Sequence, residues 1–209
     1  MSGCYIVFEG VVGAGKTTQS KRFAESLQEH FPDREIIWTR EPGGDAIAEA
    51  IRKLVQTRSF TVTMEPVCEA YLFAAARAQS LRSIVKPAVE RGAIVIADRN
   101  YISSVAFQGF GRDLGLETIL AINAEAIKCC APDMVVFLDV PLELALARTS
   151  DRVGDKFESL DTKFFEKVTE GYRVMSEHPL LKNVWHRVEA NGPIDEVFAK
   201  IEAIIRPCL

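Results

Sequence analysis

The sequence predicts an α/β fold in which a parallel sheet is wrapped by helices, and three observations predict it. Short apolar runs alternate with longer amphipathic stretches, the pattern of strand–crossover–strand units. Several of those runs are apolar almost throughout, as strands buried on both faces should be. A complete GxxxxGK[ST] motif stands between the first run and the first amphipathic stretch. The chain has 209 residues, 48% of them hydrophobic. That is enough for one sizeable core, so one domain over 1–209 is expected.

The first strand is expected at 5–9, and Gly10-Val11-Val12-Gly13-Ala14-Gly15-Lys16-Thr17 follows it. Small residues let the backbone curl around an anion with successive N–H groups pointing inward. A helix over 16–31 adds its positive N-terminal end. Lys16 is placed to reach the β- and γ-phosphates, and the Thr17 hydroxyl to ligate Mg²⁺. The motif implies a nucleoside triphosphate held by Gly10, Gly13, Ala14, Gly15, Lys16, Thr17 and Thr18.

A second strand is expected at 35–39. The stretch Thr39-Arg40-Glu41-Pro42-Gly43-Gly44 leaves it as loop chemistry, either functional or an ordinary turn. Helices follow at 45–57 and 65–91. Pro66 sits where a helix can begin, and Pro87 should kink or end the second of them. Phe73 and Arg77 are four apart and share a helix face. One offers a ring for stacking and the other a fork for a base carbonyl, although a Phe at helical spacing is usually a core residue.

The third strand, 93–98, ends in Asp98-Arg99, at the edge where open α/β sheets bind ligands. Asp98 could hold Mg²⁺ directly or through water, and Arg99 could bridge donor and acceptor phosphates. The alternative is a helix-capping Asp beside a surface Arg. A helix at 114–131, a strand at 134–139 and a helix at 141–150, opened by Pro141, come next. The stretch 149–161 is polar, charged and Gly-containing, and reads as a mobile loop. Arg148, Arg152, Lys156 and Glu158 cluster on or beside it. They either close over the triphosphate or form a solvated charge run. A helix at 162–177, a strand at 184–189 and a helix at 193–206 complete the pattern.

Charged residues make up 26% of the chain and the formal net charge is −4, with no long basic run. Bulk charge therefore points to no nucleic-acid partner. Five cysteines with no CxxC or Cys/His spacing read as reduced thiols of a cytoplasmic protein rather than a disulfide framework or zinc site. No apolar stretch is long enough to span a bilayer, and no membrane association is expected.

Taken together the motifs resemble the thymidylate kinases, with the lid of the bacterial-type branch. The matching segments are FEGVVGAGKTTQ at 8–19, TREPGG at 39–44 with Arg52 after it, LFAAARAQ at 72–79, DRNYISSVAFQG at 98–109, RVGDKFE at 152–158 and VEANGPIDEV at 188–197. The resemblance implies the P-loop nucleoside monophosphate kinase fold, with a five-stranded parallel sheet flanked by helices. It implies the reaction ATP + dTMP → ADP + dTDP with Mg²⁺, and commonly a homodimer. Phe73 would stack on thymine and Arg77 would bond a base carbonyl. Ser104 would lie at the base edge, with Arg40, Phe107, Gln108 and Glu158 also on the dTMP side. Arg52 and Arg99 would hold the acceptor phosphate, while Arg148 and Ala190-Asn191-Gly192 would lie around adenine. Metal contacts would fall to Thr17 and Asp98. Position 13 is Gly rather than the basic residue of one branch, so the missing cation should come from the lid at about 149–161. Arg152 is the choice, beside Lys16 and Arg99, for the catalytic charges.

Three positions depart from the family pattern. Val12 stands where an acid engages the sugar, a contact that must be lost or be replaced by Glu9 or Glu158. Phe107 replaces a tyrosine, and Lys156 replaces an Arg. The departures predict weaker discrimination at the sugar. They also keep an alternative in view, a P-loop kinase for another nucleotide or deoxynucleoside acceptor. A GTPase-like switch is disfavoured because no NKxD-type motif occurs.

Overall fold

The computed structural model describes residues 2–57, 60–149 and 161–209. Five strands, β1 (Cys4–Glu9), β2 (Ile36–Arg40), β3 (Ile94–Asp98), β4 (Met134–Asp139) and β5 (Trp185–Glu189), form one parallel sheet in the order β2-β3-β1-β4-β5. Each expected strand is present within a residue or so of its predicted bounds. The central strands β3 and β1, and most of β4, are buried on both faces, and side chains alternate between them. Ile6, Phe8, Ile94 and Ile96 join the larger apolar cluster, while Tyr5, Val7, Val95 and Ala97 join the smaller one on the opposite face.

The helices are α1 (Lys16–His30), α2 (Ala46–Gln56), α3 (Pro66–Ser80), α4 (Lys86–Glu90), α5 (Tyr101–Ser104), α6 (Leu116–Ile127), α7 (Leu142–Ala147), α8 (Thr162–Glu177) and α9 (Ile194–Ile205). Pro66 opens α3 in its first turn, where a missing N–H costs nothing. Pro87 does not end its segment. A π-helical turn at Leu81–Val85 precedes it and α4 runs on to Glu90. The wider turn is where the crowding of a proline ring against the preceding residues is absorbed.

One helical segment lay outside the sequence expectations. Residues Tyr101–Ser104 continue as a π-helical stretch, Val105–Gly111. The Asn100 side chain caps it by accepting from the Ile102 N–H at 2.8 Å. The segment is buried almost throughout and packs against α8, α3 and α6. Tertiary packing supplies what its glycines and β-branched residues do not.

Register brings the site together. Phe8 pairs with Asp98, and Asp98 pairs with Arg40. The C-terminal ends of β1, β3 and β2 therefore lie side by side. The loops leaving them, at Gly10, Arg99 and Glu41, emerge together at the carboxyl edge, where open α/β sheets bind ligands.

Candidate active site

The loop after β1 reaches α1 through three glycines with positive φ, Gly10 at 146°, Gly13 at 79° and Gly15 at 90°. The Gly13 position is filled by close contact as well. A Cβ there would come within 2.1 Å of the Ala145 carbonyl oxygen on α7. Gly15 enters α1 without a side-chain cap, which leaves the first N–H groups of the helix for an anion. Ala14 is buried under this loop, and Thr18 is exposed on the first turn of α1. Lys16 Nζ donates to the Val11 carbonyl at 2.7 Å. Burial, then the charge of Arg99, pull the Lys16 ammonium down to about 7, against the opposing pull of Asp98 and Glu9.

The Thr17 hydroxyl donates to Asp98 Oδ2. A hydroxyl and a carboxylate are the hard oxygen donors that Mg²⁺ takes. Among the described residues no group of three or more His, Cys, Asp and Glu side chains gathers as a metal cage. The donor set fits a cation that draws the rest of its shell from phosphate oxygens and water, as Mg²⁺ does.

Beside this pair opens a cavity of about 310 Å³. Lys16, Thr17, Asp98 and Arg99 line it together with Phe73, Arg77, Ser104 and Gln108. Val12, Arg40, Arg52 and Phe107 line it as well. The lining cations Lys16, Arg40, Arg52, Arg77 and Arg99 outnumber the acids Glu41 and Asp98, so the cavity favours an anion.

Arg77 is only 2% exposed and is held by three partners. Nε donates to Glu41 Oε2 at 2.6 Å, Nη2 to Ser104 Oγ at 3.1 Å, and Nη1 to the Asn123 carboxamide oxygen. Burial pushes the Glu41 carboxyl up, and the Arg77 charge works against it. Phe73 meets both of its sequence readings, since it lines the cavity and packs against the core. Arg40 is clasped by Glu49 at 3.0 to 3.2 Å, and Arg52 donates to the Pro42 carbonyl at 2.8 Å. Gln108 donates to Glu69 at 2.9 Å. The Arg99 guanidinium lies over the Phe107 ring, 5.1 Å from its centroid.

At the end of α7, Arg148 donates to the Ala190 carbonyl at 3.1 Å and to that of Asn191 at 3.5 Å. Two predicted triphosphate-side elements thus meet, at the end of α7 and after β5. Neither lines the cavity. Arg152, Lys156 and Glu158, with most of the 149–161 stretch, lie outside the described residues.

Glu9 does not serve as the replacement for an acid at position 12. Its side chain is fully buried. Oε1 accepts from the Asn100 and Ser103 N–H groups at 2.8 and 3.2 Å, and Oε2 from the Ser103 and Tyr172 hydroxyls at 2.6 and 2.9 Å. Sequence reasoning missed Glu41, Asn123, Ser103 and Tyr172 as site residues. Glu9 carried the one available signal, an acid closing an apolar strand. Asn123 and Tyr172 carried none, because each sits at a core spacing of its helix.

The thymidylate kinase family model matches residues 8–201 of this chain. The thymidylate kinase of Desulforudis audaxviator is 40% identical over 211 residues, covering 99% of this chain and 93% of that protein. That of Geobacillus thermodenitrificans is 39% identical, covering 98% and 90%. The crystal structure of thymidylate kinase from Ehrlichia chaffeensis superimposes with a TM-score of 0.79 at 27% identity, covering 99% of each chain.

Proposed function

The chain belongs to the thymidylate kinase family, and from that premise we infer that it transfers the γ-phosphoryl group of ATP to dTMP, giving ADP and dTDP. One observation carries the reading. The Lys16–Thr17–Asp98–Arg99 group and the Phe73–Arg77–Ser104 group line the same cavity. That is the arrangement a phosphate acceptor bearing a planar base requires.

Phosphoryl transfer depends mainly on in-line positioning and on neutralising charge. Lys16 and the backbone of the Gly10–Gly15 loop hold the triphosphate tail. Arg99 faces the transferring group from the acceptor side, and Arg52 holds the acceptor phosphate. Phe73 stacks on the base, Arg77 donates to a base carbonyl, and Ser104 and Gln108 complete the base edge. Arg40 and Phe107 flank the acceptor, while Arg148 and Asn191 lie beside adenine. Mg²⁺, held by Thr17 and Asp98, would supply a positive charge shared between the phosphates. Arg152 supplies the remaining cation and Glu158 a polar contact to the acceptor from the 149–161 lid of this one kinase domain.

The apolar side chains Ile47 and Leu54 on α2 and Val67 and Tyr71 on α3 are exposed on two helices that pack together. They support a homodimer through this face, which light scattering on the purified protein tests. No helix among the described residues is long and apolar enough to cross a membrane. The negative net charge and unpatterned thiols support a cytoplasmic enzyme without nucleic-acid or membrane partners.

A coupled ADP-release assay over dTMP, dUMP, dGMP, dCMP and thymidine decides the acceptor. Turnover led by dTMP is expected, with dUMP within about 1–3 kcal/mol, the discrimination that one methyl pocket gives. Turnover led by thymidine or a purine nucleotide would overturn the assignment.

A further inference from the structure

Behind Arg99, the phenol oxygen of Tyr172 joins β1, α5 and α8. It lies 2.9 Å from Glu9 Oε2, 3.1 Å from the Gly10 carbonyl, and 3.0 Å from both Ser103 Oγ and Arg99 Nη1. Arg99 Nη1 also donates to Ser103 Oγ at 2.7 Å and to the Gly10 carbonyl at 3.1 Å. Three acceptors therefore surround one nitrogen that carries two hydrogens. Among the described residues the hydrogen bonds of Arg99 all run from Nη1, and Nε and Nη2 are the part of the guanidinium fork left for a ligand.

The buried Glu9 carboxylate accepts only, so the Ser103 and Tyr172 hydroxyls that reach Oε2 give it their hydrogens. Their lone pairs then turn toward Arg99. The backbone contributes too, since Arg99 is held at φ 78°, a conformation a non-glycine residue rarely keeps without surrounding contacts.

Tyr172 reaches this point because α8 sits very close to the 101–111 helix. A Cβ on Gly171 would lie 2.7 Å from Ala106 Cα, and one on Gly111 would lie 2.6 Å from the Phe164 ring. Two glycines thus bring the helices together, one from each side of the contact.

We propose that Tyr172 is a positioning residue for Arg99, which with Glu9 and Ser103 fixes the guanidinium so that Nε and Nη2 face the acceptor phosphate. This rests on reading the cavity as the dTMP site. Wild-type turnover with ATP and dTMP tests that reading by itself, whereas the role of Tyr172 is read from variants compared with the wild type.

Tyr172→Phe removes the oxygen and keeps the ring against Phe137, whose centroid is 5.2 Å away. Its kcat/KM for dTMP is expected to fall about tenfold, while KM for ATP stays within about twofold. Ser103→Ala, acting from a different helix, is expected to shift the same constants in the same direction. In an Arg99→Ala background, Tyr172→Phe is expected to have no further effect. Phe137→Leu, which loosens the ring packing alone, should lower Tm and leave kcat/KM for dTMP unchanged. A Tyr172→Phe enzyme with wild-type kcat/KM for dTMP overturns the proposal. An equal loss in the Arg99→Ala background, or in Phe137→Leu, overturns it as well.

Discussion

The Thr17 hydroxyl donates to the Asp98 carboxylate across 81 positions of sequence, tying the first turn of α1 to the end of β3. If these two oxygens share a cation, Asp98→Asn should keep an acceptor for Thr17 while losing the charge. The Mg²⁺ concentration for half-maximal rate should rise. The kcat should fall by about a hundredfold or more, the scale for losing one electrostatic contact to a transferring group. Initial rates over a Mg²⁺ titration at saturating ATP and dTMP check this.

Burial and the neighbouring Arg99 charge hold the Lys16 ammonium down at about 7, against an ordinary value of 10.5. Between those values the unfolded chain binds a proton that the folded protein lacks. The contribution of this group to stability is complete above the ordinary lysine value and is lost as pH falls through about 7. A triphosphate beside the ammonium restores its charge. ATP binding at about pH 8 should therefore draw a net proton from solution, and uptake through this group should vanish at about pH 6. Calorimetry in buffers of different ionisation enthalpy measures the uptake, and a buffer-independent heat at the higher pH would refute the assignment to Lys16.

Val12 lines the cavity and cannot accept a hydrogen bond from a sugar hydroxyl, and Glu9 is fully engaged elsewhere. Discrimination between dTMP and its 3′-deoxy analogue should therefore be weak. Val12→Glu is expected to add about 1–3 kcal/mol of preference for dTMP. A large wild-type preference in kcat/KM would mean that another group, such as Glu158, makes the contact.

The Arg77–Glu41 pair is buried on both sides, with side chains 2% and 3% exposed. Glu41→Ala leaves the guanidinium without its carboxylate and should cost about 3–5 kcal/mol of stability. At this chain length that is a fall in Tm of roughly 6–20 °C. Denaturant unfolding of the variant checks the magnitude, and KM for dTMP should rise in parallel because Arg77 loses its fixed orientation.

The central strands were legible because burial on both faces leaves a nearly uninterrupted apolar run, and 134–139 matched residue for residue. The loop around Gly10–Thr17 was legible because its chemistry is local. Residues 101–111 were not. Gly109, Gly111, Ser103 and Ser104 argue against a helix, and packing against α8, α3 and α6 reverses that argument. The positive φ of Arg99 has no sequence signature either. Nor does the convergence of Glu9, Ser103 and Tyr172, which come from three separate elements. Chemistry that sits within one turn of chain could be read directly, whereas chemistry assembled by register and helix docking had to be seen.

The contact between Gly13 and Ala145 limits how this site can change. A side chain at position 13 would meet a carbonyl of α7 at 2.1 Å, and the backbone there is one that only glycine adopts without strain. Relocating a positive charge from the 149–161 stretch into the loop is thus not a one-codon event for this chain. It would require α7 to retreat first, and Arg148, at the end of that helix, would be displaced with it.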